Sequence, residues 1–214
     1  MTDLQERILI KSHELFMRFG IRSVSMDEIA AHLGISKKTI YQFYSDKDSL
    51  VGDAVGIEIN SAEKQCRLHR SKSIDAVHEV FLAIDMMKEM FKMMNPAVMY
   101  DLEKYHPGAY QKFNEHKSRF MYDVVRQNIE RGKKEGYFRQ EINSDIMAKF
   151  RLASMFVIFS ADIFPPSKYQ LFDTSVEILE NFLFGLTTAK GQKLIQKYKL
   201  QRQKQQDNDE KKHG

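Results

Sequence analysis

Between Ser25 and Tyr44 the chain reads SMDEIAAHLGISKKTIYQFY, two short helical phrases separated by little more than a glycine. Ser25 with Glu28 three residues on is a capping box, in which serine and glutamate satisfy the free N–H groups that open a helix. Ile29, Ala30 and Leu33 give this phrase an apolar side, and Gly34 stops it. Ser36 caps the next helix, which carries Ile40 and Tyr44. Such short helices cannot stand alone in water. They need a brace, and the preceding segment supplies one: Leu4, Ile8, Leu15, Phe16 and Phe19 recur at helical steps and end at Gly20, where a left-handed cap is wanted. Two helices meeting at a glycine turn against a third form a helix-turn-helix arrangement at about 25–44.

At 100° per residue, Ile40 and Tyr44 share the inner side of the helix after Ser36. Lys38 and Gln42 fall opposite, flanked by Thr39 and Tyr41. Lysine can donate to guanine O6 and N7, and glutamine can pair with adenine N6 and N7. The leading end of such a helix enters the major groove, so Lys37 and Lys38 go first. Ser25 and Ser36 stand at helix N-termini, where backbone N–H groups and the dipole favour a phosphate. Lys47, at the start of a fourth helix opened by Ser45 with Asp48, is placed as a charge for the DNA backbone. Each feature alone is common on ordinary helices; together they favour duplex DNA.

The remaining periodicity is also helical. No alternating β-branched run and no Asn-Gly or Asp-Gly hairpin occurs. The fourth helix runs through Leu50, Val51, Ala54 and Val55 towards Cys66. A helix over about 74–94 ends at Asn95-Pro96. A short piece reaches Tyr105, and Pro107 opens a long helix through Phe113, Phe120 and Ile129. GKKEGYFR at 132–139 is a turn. Asn143 or Ser144 starts a helix to about Ile163, stopped by Pro165-Pro166, and a last long helix spans about 167–186. The expectation is an all-α chain in three parts. Residues 1–50 are the DNA-binding domain, 51–189 a helical bundle, and 190–214 a basic tail that is either a helical extension or disordered.

Composition narrows the function classes. A hydrophobic content of 43% with 29% charged residues is that of an ordinary soluble protein. There is no apolar run long enough to span a bilayer. MTDLQERILIKSHELF reads as a first helix rather than a signal or transit peptide. The single cysteine, Cys66, cannot form an internal disulfide, which fits the cytoplasm. The net charge of +4 is concentrated in the tail, while residues 1–50 are neutral. Any nucleic-acid contact therefore depends on where a few charges point. His69, His78, His106 and His116 lack metal-ligand spacing, so no metal and no cofactor are expected. No nucleophile–base set, paired carboxylates or glycine-rich phosphate loop suggests an enzyme.

Residues 8–51, ILIKSHELFMRFGIRSVSMDEIAAHLGISKKTIYQFYSDKDSLV, resemble the DNA-binding region of the TetR (tetracycline-repressor) family of bacterial transcription regulators. The resemblance covers Ser12 to Gly20, Asp27 to Tyr41 and Lys47 to Leu50, in order and without gaps. It implies a cytoplasmic homodimer that binds a palindromic operator and is released by a small molecule held in its C-terminal domain. Positions matching Lys37, Lys38, Thr39 and Tyr41 would reach bases or phosphates, and those matching Ser25 and Lys47 would hold phosphates. The family commonly has His or Tyr at the position of Phe43 and Phe at that of Tyr44. Phe43 cannot hydrogen-bond a phosphate; it either meets a thymine methyl or sugar edge, or packs. Tyr44 fills the core with its hydroxyl at the rim.

Beyond residue 52 the resemblance is architectural, including a GxxxGxF-type turn from Gly132 to Phe138. It implies that the last two long helices, about 145–163 and 168–186, pair with those of a second copy. Met155, Phe159, Val176, Leu179, Phe182, Leu183 and Leu186 are the candidate dimer contacts, with Gly185 permitting close approach. Phe81, Met87, Met90, Phe91, Met94, Met99, Tyr100, Tyr105 and Phe120 are candidates to line an adaptable pocket for an apolar or amphipathic effector. Residue by residue, ordinary core packing competes with that reading. The alternative function is an all-α ligand carrier or protein-interaction scaffold whose DNA-binding head is not used.

Overall fold

The computed structural model describes the backbone of residues 2–213 and the side chains of residues 2–204, so the tail's Lys211 and Lys212 side chains lie outside the described residues. Among the described residues there are eleven α-helices and no strand. No helix there is long and apolar enough to cross a membrane.

Helices α1 (Asp3–Phe19), α2 (Met26–Leu33) and α3 (Lys37–Tyr41) form the head. Thr2 caps α1 by accepting the Gln5 N–H. Both halves of the Ser25–Glu28 capping box are made, at 3.2 and 2.6 Å. Gly34 sits at φ +67°, ψ +31°, the left-handed conformation that turns the chain sharply between α2 and α3. Gly20 differs from expectation: at φ 88°, ψ 150° it ends α1 in an extended positive-φ conformation, not a left-handed helical cap. Helix α3 is also shorter than expected, because Gln42 and Phe43 form a turn and Tyr44 lies beyond it.

Helix α4 (Lys47–Lys72) opens at Asp46, not Ser45. The Asp46 carboxylate accepts the Ser49 N–H at 2.7 Å and the Ser45 hydroxyl at 3.1 Å. The ionised side chain is the stronger acceptor, so it takes the cap. Leu50, Val51 and Ala54 pack into the head's core, and α4 runs through residue 50 without a break.

Then follow α5 (Ala76–Met93), α6 (Ala97–Tyr105), α7 (Pro107–His116) and α8 (Tyr122–Lys134). The long helix expected after Pro107 is continuous but contains a π-helical turn over Lys117–Met121. Asn143 caps α9 (Ser144–Phe156) through the Asp145 and Ile146 N–H groups. Helix α9 ends seven residues before Ile163, passing into a 3-10 turn over Val157–Phe159. Ser160 O accepts the N–H of Ile163 and Phe164, and Pro165 O those of Lys168 and Tyr169. These turns displace the start of α10 (Leu171–Leu186) from the expected residue 167.

Two apolar cores result. The first joins Ile8, Phe16, Ile29, Ile40 and Leu50 to Val98 and Leu102 of α6. The second joins Val77, Phe81, Ile84, Ile129, Leu183 and Leu186 to Ile195 and Tyr198 of α11 (Ala189–His213). The wholly buried Phe138 lies flat against Gly132, where a Cβ would stand 2.1 Å from the ring. The expected tail is thus helical, and its first half is packed. Tyr198 donates to Asp75 at 2.6 Å, Lys199 pairs with Glu180 at 2.7 Å, and Arg202 pairs with Asp85. Burial, then the hydrogen bond to Asp75, pushes the Tyr198 phenol pKa up.

Candidate DNA-binding face and effector cavity

Ile40 is wholly buried and Tyr44 is 3% exposed, and both anchor the recognition segment to α1 and α4. With those two inside, Lys37, Lys38, Tyr41 and Gln42 are left exposed and Thr39 is half-buried. Ser36 accepts the Thr39 N–H at 3.1 Å and shares its hydroxyl with Thr39 at 2.8 Å. Ser25 is exposed at the head of α2. Lys37 is held by Asp27 at 2.8 Å across the two helices, which raises its pKa. That pair fixes the first lysine's stem, leaving Lys38 and Gln42 as the side chains that project.

Two residues, Tyr44 and Lys47, sit differently from expectation, and Phe43 packs, which is one of its two readings. The Tyr44 hydroxyl is not at the rim: it is buried without a hydrogen-bond partner, and burial pushes its pKa up. Phe43 is half-buried against the first core. Lys47 turns inward, its ammonium donating to the Ile21 carbonyl at 2.6 Å and lying 5.7 Å over the Phe16 ring. Desolvation lowers its pKa. In this conformation its charge ties α4 to the end of α1.

Behind the head is a methionine-rich cavity of about 190 Å³. Phe16, Met17 and Ile21 from α1 and its following turn form one side, with Val51, Ala54 and Val55 of α4. Met87, Met90, Phe91, Met94 and Met99, all expected in a pocket, line it from α5 and the segment after it, joined by Met155 and Phe159. An outer cleft of about 1030 Å³ shares Phe91, Met94, Met99, Phe156 and Phe159 with it and adds Tyr100, Lys88, Lys92 and Lys117. The other expected lining residues lie elsewhere. Phe81 packs on Tyr198 in the second core, Tyr105 accepts a hydrogen bond from Arg22, and Phe120 stacks on His116.

Sequence reasoning missed the titratable groups of this cavity: His13, Glu58, His116 and Arg151. His13 meets Glu58 at 3.0 Å and His116 meets Glu63 at 3.4 Å. Desolvation lowers the His116 pKa. Arg151 was findable, since it falls on the inward stripe of α9 with Ala148 and Met155, a place where a cation is unexpected.

The expected dimer residues are mostly committed within the chain. Leu179, Phe182, Leu183 and Leu186 are buried in the second core, and Val176 packs beside them. Met155 and Phe159 face the cavity. The exposed apolar side chains are instead Ile146 (59%) and Phe150 (55%) on α9, with Phe150 stacked on Phe182 of α10. Gly185 is exposed, with open space where a side chain would be.

Residues 8–54 match the family model described as bacterial regulatory proteins, tetR family. The HTH-type transcriptional regulator YvaF of Bacillus subtilis (strain 168) is 27% identical over 191 residues, covering 87% of this chain and 96% of that protein. A transcriptional regulator from Saccharomonospora viridis, solved in complex with choline, superposes at a TM-score of 0.71 with 16% identity, over 88% of this chain and 100% of its own. FadR from Bacillus subtilis, solved in complex with stearoyl-CoA, gives 0.65 with 14% identity, over 85% of this chain and 98% of its own. Residues 8–54 thus carry a DNA-binding module of the tetR type, and the chain as a whole shares the all-helical architecture of solved transcriptional regulators, a TetR-family member from Agrobacterium tumefaciens among them.

Proposed function

We propose that the protein is a cytoplasmic, homodimeric repressor whose head (residues 1–50) binds a palindromic operator and whose body (51–189) releases it on binding a small apolar or amphipathic effector. Lys38, Thr39, Tyr41 and Gln42 would read or approach bases. Lys37, Ser25 and Ser36 would meet phosphates, and Phe43 would pack at the sugar edge. The observation that carries the reading is that one cavity wall is the head itself: Phe16, Met17 and Ile21 share it with the α5 methionines. A molecule filling that space pushes on α1 and α4, and so changes the spacing of two heads in a dimer. Polar ties transmit such a shift. The Arg22 N–H donates to Asp101 at 2.9 Å, and His106 meets Asp48 at 2.6 Å. The relatives solved with choline and stearoyl-CoA support a ligand-holding body, without naming the ligand here. The exposed Ile146–Phe150 stripe, with the open Gly185 on α10, supports a second copy as partner.

The experiment is selection of duplexes from a random pool, followed by affinity measurement across salt. A palindromic consensus, with affinity falling by roughly 10³ or more between 50 and 200 mM salt, is expected for several phosphate contacts per dimer. Salt-insensitive or absent binding would favour a carrier or scaffold with an unused head.

A further inference from the structure

Resting on the effector-cavity reading above, one group in that cavity narrows the ligand's chemistry. Arg151 is 6% exposed, lines the cavity from α9, and has no carboxylate within salt-bridge distance among the described residues. Its guanidinium has one weak protein contact, Nη1 to Ser154 Oγ at 3.4 Å, and that serine hydroxyl donates back to the Arg151 carbonyl at 2.8 Å. The Phe182 ring lies 5.9 Å away, at the outer limit of a cation–π contact.

A guanidinium so placed is an anomaly. Buried cations are ordinarily paired, because their desolvation is otherwise uncompensated. The donors that the protein leaves open on this apolar cavity match an oxyanion taken in bidentate fashion, and a carboxylate is the one that carries an apolar chain at the least cost in buried charge. Burial lowers the Arg151 pKa to about 10, so the side chain is still a cation at neutral pH. The cavity's other charged group, Glu58, is already met by His13. Ser175, which lines the same cavity, donates to the Leu171 carbonyl at 2.6 Å and keeps lone pairs only. Among the described residues, no other cation faces the cavity from α4 or α5.

We propose that Arg151 is the anion-binding residue of the effector cavity, and that the effector is an organic carboxylate whose apolar tail lies along Met87, Met90, Met94 and Met155. The volume of about 190 Å³ suits a short chain. A longer tail would continue into the outer cleft past Phe156 and Phe159.

The test compares octanoate with 1-octanol, by calorimetry, on the full-length protein and on Arg151→Met, which keeps the side chain's bulk. Wild type should bind octanoate roughly tenfold or more tighter than octanol, the scale of one buried charge-assisted pair. Arg151→Met should lose that preference, retain octanol binding and melt no lower than wild type, since it removes an unpaired buried charge. Equal binding of both probes by wild type would overturn the Arg151 assignment while leaving the apolar cavity standing. Binding of neither would overturn the cavity reading as well. A variant that melts lower yet keeps the octanoate preference would make Arg151 a structural residue and end the proposal.

Discussion

The Lys47 ammonium donates to the carbonyl of Ile21 across 2.6 Å, beside the Phe16 ring, so the first charge of α4 is spent inside the protein. Lys47→Met should cost about 1 kcal/mol of stability, the worth of one hydrogen bond. It should leave the dependence of log K on log salt nearly unchanged. Lys37→Ala, which removes the exposed lysine assigned to a phosphate, should lower that slope by about one. The paired salt titrations check this; a smaller slope in Lys47→Met would mean that the side chain swings out to a phosphate when DNA binds.

Gln42 is exposed on the turn that ends α3, opposite the buried Ile40. Gln42→Ala should relax selectivity at one base pair of each half-site, by roughly 1–3 kcal/mol. Affinities for the single-base variants of the selected duplex measure it. A loss shared evenly by every variant would move the residue from base reading to backbone contact.

The turn between α2 and α3 rests on Gly34 at φ +67°, with nothing within 4 Å of where a side chain would sit. Gly34→Ala therefore meets no clash and should show the backbone cost alone, about 1 kcal/mol or somewhat more. Chemical denaturation gives the number. No loss would show that the turn relaxes out of the left-handed region.

Acid should weaken the head through its caps. Glu28 is held below its usual 4.5 by the Ser25 N–H, then the Ser25 hydroxyl, and Asp46 below its usual 3.8 chiefly by the Ser49 N–H. A depressed folded pKa contributes stability above the unfolded value and loses it as pH falls through the folded one. The loss should begin near the usual carboxylate range and grow below it. Asp46→Asn, which keeps a cap acceptor, should flatten the curve of stability against pH below that range; an unchanged curve would mean that the Asp46 cap does not respond to acid.

Phe150 stands out on α9 above Phe182, four residues after Ile146 on the same stripe. Phe150→Glu should turn a dimer into a monomer in sedimentation equilibrium with helicity retained, because the side chain contributes little to the chain's own core. A dimer that survives this change but not one at Gly185 would shift the interface to α10.

The parts of this structure legible in the sequence are those that local chemistry decides. Ser25 with Glu28 and Ser36 open their helices as read, and Asn143, one of two candidates there, caps α9, because a cap needs only its own first turn. Ile40 and Tyr44 face inward as the helical wheel requires, although Tyr44 lies past the helix end. Where two neighbours could serve, as at Ser45 and Asp46, the cap fell one residue later than expected. What periodicity could not give is which body an apolar stripe meets. Leu179, Phe182, Leu183 and Leu186 carry the pattern of an interface but are buried in the second core, where α10 meets α5 of the same chain. Phe81 carries the pattern of a cavity wall but is covered by Tyr198, more than a hundred residues away. Arg151 shows the reverse: its place on an inward stripe was visible, but its lack of an acidic partner depends on every helix around it.

The central claim is that residues 36–44 meet duplex DNA, and amide hydrogen exchange on the selected operator tests it most directly. With duplex bound, peptides spanning Ser36–Tyr44 should exchange more slowly than in the free protein. Tight operator binding with exchange unchanged there, and slowed elsewhere, would contradict the account.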